Sequence, residues 1–147
     1  MRAQLSDGLR EVRRLNESVA RFLQDHQVPA DRQHDVQLVL EELITNAARH
    51  GGLEAGRARI VVEIGLEADG VRLGVEDDGR EFDPMSAALP PLGTTLEDRP
   101  SGGHGLRIVR RLVTGTTYRR LPAGRNRIEA IVPLAGPPSH SPSSSSR

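Results

Sequence analysis

The chain has 147 residues, the length of one domain, and its 20 basic residues balance its 20 acidic ones. Zero net charge argues against nucleic acid or an acidic membrane surface as a general partner. The absence of Cys excludes disulfides, thiolate catalysis and Cys-ligated zinc, and with every basic residue an Arg the Lys-dependent P-loop is excluded too.

Residues from about Ala3 to His26 read as a first helix, because Leu5, Leu9, Val12, Leu15, Val19, Phe22 and Leu23 follow helical spacing. Val28-Pro29-Ala30-Asp31 is a break and a cap. A second helix runs from about Asp31 to His50 and is ended by Gly51-Gly52. On it Val36, Leu40, Leu43, Ile44 and Ala47 form one apolar stripe. Glu42, Asn46 and His50 stack along a flank of that stripe at i, i+4, i+8. Asn is a poor helix former, since its amide competes for backbone partners. A carboxylate and a carboxamide one turn apart at a core edge can move a proton and hold a hard cation. The plainer reading of the pair is a polar helix border.

Two alternating strands follow, Ile60 to Leu66 and Val71 to Val75, joined by the turn signal Asp69-Gly70. One face of this sheet is apolar and the other mostly polar. Gly79 to His104 lacks periodicity and reads as a long loop. A third helix starts near Gly105, and two last strands span about Thr116 to Leu121 and Asn126 to Pro133. Residues 136–147 read as a Pro/Ser-rich disordered tail behind a domain of residues 1–135. No apolar run approaches the roughly 18 residues of a membrane helix, and the N-terminus lacks a signal-peptide core. Together with the missing Cys, this fits a cytoplasmic protein without membrane contact.

Two further segments carry chemistry. In Val75-Glu76-Asp77-Asp78-Gly79 a strand ends on a carboxylate, which can accept from an exocyclic amine, while Gly lets backbone approach a flat base. Taken alone it also reads as an ordinary turn. In Ser101-Gly102-Gly103-His104-Gly105-Leu106 a Gly-rich loop runs into a helix N-terminus, an anion site in waiting or a plain linker.

In their order, these three blocks resemble the N, G1 and G2 boxes of the GHKL superfamily, which includes gyrase, heat-shock chaperone, histidine kinase and MutL ATPase domains. They are most similar to its small stand-alone branch, the anti-sigma-factor serine kinases of the RsbW and SpoIIAB type. The resemblance covers roughly residues 5 to 134. It implies a histidine-kinase-like ATPase fold, an α+β two-layer sandwich of a mixed, mainly antiparallel sheet with three helices on one face. It implies ATP and Mg²⁺, with Asn46 as metal ligand and Glu42 as general base. Asp77 would take the adenine amine, with Gly79 beside the base and Phe82 in the loop that follows. Gly102, Gly103, His104, Gly105 and Leu106 would wrap the phosphates, and Gly79 to His104 would form a lid. Arg49 and Arg107 are candidates for phosphate, though on a Lys-free chain an Arg is more often a solvated surface residue. His50 reads as a packed or hydrogen-bonded helix-end residue. Asn126 stands where the family has a base-holding Thr, and Glu81 where many members have a second Gly. The edge strand that usually precedes the first helix is expected to be short or absent.

The resemblance implies an anti-sigma factor that phosphorylates a Ser on a STAS-type antagonist, binds a sigma factor and forms a homodimer. The alternative is a non-catalytic or weakly hydrolytic nucleotide-binding module. A histidine-kinase catalytic domain would call for a phospho-acceptor helix pair, and a gyrase-like clamp for a transducer domain.

Overall fold

The computed structural model describes residues 1–5, 8–51, 59–86, 88 and 103–136. In chain order the elements are β1 (Arg2–Leu5), α1 (Gly8–Asp25), α2 (Ala30–Gly51), β2 (Ile60–Leu66), β3 (Gly70–Asp77), α3 (Gly103–Leu112), β4 (Gly115–Leu121) and β5 (Arg125–Pro133). The strands form one sheet in the order β1-β2-β3-β5-β4. All four pairings are antiparallel, where the resemblance implied a mixed sheet. Helix α2 lies against β2, β3 and β5, and α1 and α3 lie against α2.

Strand alternation builds the core. Ile60, Val62 and Ile64, then Val71, Leu73 and Val75, then Ile128, Ala130 and Val132 are all buried. The register places Val62 opposite Val75 and Val75 opposite Ile128, so one apolar face runs across three strands. Against it sits the α2 stripe read from the sequence: Val36, Leu40, Leu43, Ile44 and Ala47 are each buried. Each fully buried Val, Leu or Ile stabilises by about 1.5–3 kcal/mol.

The N-terminus corrects the sequence reading. Ala3 to Leu5 are strand, not helix, with Ala3 opposite Val62 and Leu5 opposite Ile60. The edge strand expected to be short or absent is present, with four residues. Its Met1 ammonium group donates to the Ile64 carbonyl at 2.7 Å. Leu5 also fits the helical spacing through Leu9, and the edge of β2 settles it as strand by supplying backbone partners. Helix α1 ends in a Schellman turn. Gln27 adopts a φ of 55°, and the Val28 and Gln27 amides donate to the Leu23 and Gln24 carbonyls, both at 2.9 Å. Helix α3 opens at Gly103, two residues before the expected start.

The other face of the sheet holds a lattice of ion pairs. Arg127, 16% exposed, bonds Glu63 and Glu129 at 2.7 Å each and also Glu76. Arg125 reaches Glu76 at 2.9 Å and Arg72 reaches Glu67 at 2.6 Å. At the end of the described chain, buried Arg32 donates to the Gly136 carbonyl at 2.8 Å and to Asp35 at 3.1 Å. The tail from residue 137 and most of the expected lid (87 and 89–102) lie outside the described residues.

Candidate active site

Helix α2 sets Glu42, Asn46 and His50 one turn apart on the side that faces the sheet and α3. Asn46 is buried at 6% exposure. Its Nδ2 donates to the Glu42 carbonyl one turn earlier at 2.8 Å. That bond uses the amide's donor side and fixes its orientation, which leaves Oδ1 as an acceptor with no hydrogen bond from the described residues.

The Glu42 carboxylate lies against the first turn of α3. A Cβ added at Gly105 would overlap its carboxyl carbon and an oxygen, so the glycine is what lets the carboxylate rest against α3, and a larger residue would make the Glu42 side chain swing away. Burial pushes the Glu42 carboxyl up from its ordinary value, neighbouring Glu41 adds to this, and Arg49 opposes it.

Asp77 is the last residue of β3 and is buried. Its Oδ1 accepts from the Gly79 amide at 2.9 Å and from Asn126 Nδ2 at 2.8 Å. Among the described residues, Oδ2 accepts nothing. Asn46, Asp77 and Asn126 meet at one cavity whose apolar walls include Leu43, Ala47 and Ile128. The volume within reach of a water in this partly open cavity is about 20 Å³, room for a water and not for a purine. Phe82 and His50, also in its lining, stack with ring centroids 3.7 Å apart and planes at 20°. Arg80 lies 3.1 Å from His50 Nδ1. Since a guanidinium only donates, Nδ1 is the acceptor and the neutral ring carries its proton on Nε2. Burial, then Arg80 and Arg49, lower the His50 pKa against the pull of Asp77. His50 is thus packed and hydrogen-bonded, as its helix-end position suggested.

The expected residues fall in different places. Asn46, Asp77, Phe82 and Asn126 share the cavity, and Glu42 and Gly105 touch beside it. Gly79 is held through its backbone, its amide on Asp77 and its carbonyl on Arg120 Nη1 at 2.8 Å. Arg49 is exposed and outside the lining, although its charge reaches Glu42 and His50. Leu106 is buried and Gly103 opens α3. Gly102 and the His104 side chain lie outside the described residues.

Three residues escaped the motif reading. Tyr118 donates to Asn126 Oδ1 at 2.8 Å, Arg120 donates to the same oxygen at 2.7 Å, and the Arg80 carbonyl accepts from Asn126 Nδ2 at 2.8 Å. Burial, and next the charge of exposed Glu81, push the Tyr118 phenol up. One signal was available: Tyr118 is the chain's single Tyr.

Residues 5–132 match the family described as histidine kinase-like ATPase domain. The serine/threonine-protein kinase BtrW of Bordetella bronchiseptica is 32% identical over 83 residues, 56% of this chain and 58% of that protein. The anti-sigma F factor of Bacillus subtilis is 27% identical over 92 residues, 63% of each chain. That of Bacillus licheniformis is 28% identical over the same length and shares. The chain therefore spans about three-fifths of the length of these relatives. A chain in the crystal structure of the SiaB-SiaC complex from Pseudomonas aeruginosa superposes with a TM-score of 0.57 at 16% identity, over 90% of this chain and 88% of that one. This last likeness is one of fold.

Proposed function

The chain belongs to the histidine kinase-like ATPase domain family, and on that ground we propose that it is an ATP-binding anti-sigma factor and serine/threonine protein kinase acting on a STAS-type antagonist. One observation carries the reading. Segments far apart in sequence bring a half-buried carboxylate, a carboxamide oxygen, a strand-end carboxylate and a glycine-opened helix to one place.

In this reading Asp77 Oδ2 accepts from the adenine amine, and Gly103, Gly105 and the start of α3 receive the phosphates. Among the described residues no three His, Asp or Glu side chains converge as a metal cage. A single oxygen from Asn46 suits Mg²⁺, a hard cation that keeps its waters and takes phosphate oxygens. Its donor side is already committed to Glu42, so Oδ1 is the atom that would hold the ion. When bound, Mg²⁺ neutralises phosphate charge. Glu42 removes the proton from a protein Ser hydroxyl. The Ser oxygen bonds to the γ-phosphorus while the bond to the bridging oxygen breaks, and ADP leaves. Its raised pKa brings the carboxylate nearer the working pH, where a general base is most effective. Entry of the base requires Phe82 to move off His50, because the space is water-sized.

The names of the kinase and anti-sigma relatives support this reading, as does the placement of the three motifs. A sigma factor as second partner, a homodimer and a cytoplasmic location complete it. Among the described residues no helix is long and apolar enough to cross a membrane. Incubation with labelled ATP and a STAS-type antagonist tests it, with Glu42→Ala as the decisive variant. Loss of transfer with ATP affinity kept supports the assignment, and unchanged transfer refutes Glu42 as base. Nucleotide bound by the wild type without transfer to any Ser would favour a non-catalytic regulatory module.

A further inference from the structure

We infer that Tyr118, Asn126 and Arg120 set base specificity by locking Asp77 through one carboxylate oxygen, so that only the other is offered to an exocyclic amine. This rests on the nucleotide-site reading above.

Asn126 sits opposite Asp77 across β3 and β5, and opposite Arg120 across β5 and β4. An amide offers two N–H donors and two acceptor positions. In buried Asn126 all four are taken. Nδ2 donates to Asp77 Oδ1 and to the Arg80 carbonyl, both at 2.8 Å. Oδ1 accepts from Tyr118 at 2.8 Å and from Arg120 at 2.7 Å. Asn126 therefore has no hydrogen bond left for a base. Its part is positional.

What it positions is Asp77. Oδ1 holds two donors, Asn126 and the Gly79 amide, which fixes the plane of the carboxylate. Oδ2 accepts nothing among the described residues, and Asp77 lines the cavity. A purine carrying an amine at that point gains a charge-assisted bond, and one carrying a carbonyl or a bare C–H does not. Arg120 also binds the Gly79 carbonyl at 2.8 Å, so the same side chain braces the loop behind Asp77 and the amide in front of it.

The test compares ATP with purine riboside triphosphate, which lacks the 6-amino group, by calorimetry on the full chain. The wild type should prefer ATP by roughly ten- to a hundredfold, the range of a hydrogen bond to a charged group. In Asn126→Ala that ratio should fall toward one while affinity for the purine analogue holds. Asn126→Thr, whose hydroxyl can still donate to Asp77, should restore part of it. Arg120→Met, on the exposed edge strand, reads the same ratio in a chain that keeps Asn126, and the ratio should drop there too. If the two nucleotides weaken in parallel with the ratio intact, or if Arg120→Met leaves it untouched, the inference is overturned and the nucleotide site survives. A wild type that ignores the 6-amino group overturns the assignment of Asp77 and the inference with it.

Discussion

Replacing Gly105 by Ala isolates the contact between α3 and Glu42. In an open helix, Gly→Ala stabilises by about 1 kcal/mol through backbone entropy. Here the new methyl would overlap the Glu42 carboxylate, and Gly105 is itself buried. The obstacle is the tip of a flexible side chain that must swing aside, so the substitution should forfeit the usual gain of about 1 kcal/mol. In a Glu42→Ala background the obstruction is gone and the propensity gain should reappear. The two substitutions are thus coupled by about 1 kcal/mol, outside the scatter of about 0.3–0.5 kcal/mol for independent sites. Urea unfolding of wild type, both single variants and the double variant measures this. Additivity within about 0.5 kcal/mol would refute the contact and the close seating of α3 on Glu42.

Arg127→Met should leave Glu63, Glu76 and Glu129 crowded together with only their outer partners Arg2, Arg125, Arg72 and Arg119, costing about 2 kcal/mol and lowering Tm by about 4–8 °C for a domain of this size. The hydrogen bond from Arg127 comes first among the causes that lower the Glu63 and Glu129 pKa values. Depressed carboxylates stabilise above their unfolded pKa and lose that contribution as pH falls through the folded one. The Tm gap between variant and wild type should therefore close below about pH 4, and a gap that persists there contradicts the ion-pair account. Phosphotransfer should rise with pH as Glu42 deprotonates, with its acid limb above the ordinary Glu value of about 4.3; a pH–rate profile flat through that region removes Glu42 as base. Phe82→Ala removes a stack worth about 0.5–1.5 kcal/mol. Stopped-flow nucleotide association should then quicken roughly two- to tenfold, and an unchanged rate argues that Phe82 does not close the cavity.

The sequence was readable where period and burial coincide. The α2 stripe, the β2 and β3 alternation and the glycine opening of α3 each follow from one rule applied to local residues. Ala3 and Leu5 fall in the strand instead of the helix although Leu5, four residues before Leu9, satisfies the helical spacing as well, because the free edge of β2 decides between them. The all-antiparallel sheet follows from which strand edges meet, which no local pattern records. Tyr118 and Arg120 were missed for a related reason. They matter through Asn126, and that pairing exists only once β4 and β5 are in register. The Phe82–His50 stack spans two segments that share no motif in the chain.

The site is continuous with the core and follows the same alternation. Leu73, Val75 and Asp77 point to one face of β3, as Ala130, Ile128 and Asn126 do on β5, and the register pairs them in that order. Moving along the strands, the apolar layer gives way to polar groups at its last rung, where α2 contributes Asn46 and the sheet contributes Asp77. Buried polar atoms are normally paired, because leaving one unmade costs about 1–3 kcal/mol. Asn126 meets that rule with four bonds. Asp77 Oδ2 and Asn46 Oδ1 accept no bond from the described residues and are not sealed off as buried unpaired atoms, and both side chains line the same cavity. Both atoms are acceptors, so hydrogen-bond donors or a cation would complement them. The proposed aminopurine nucleotide with its metal would supply one of each, and that proposal accounts for oxygens at the core's polar end where further Val or Ile would have packed.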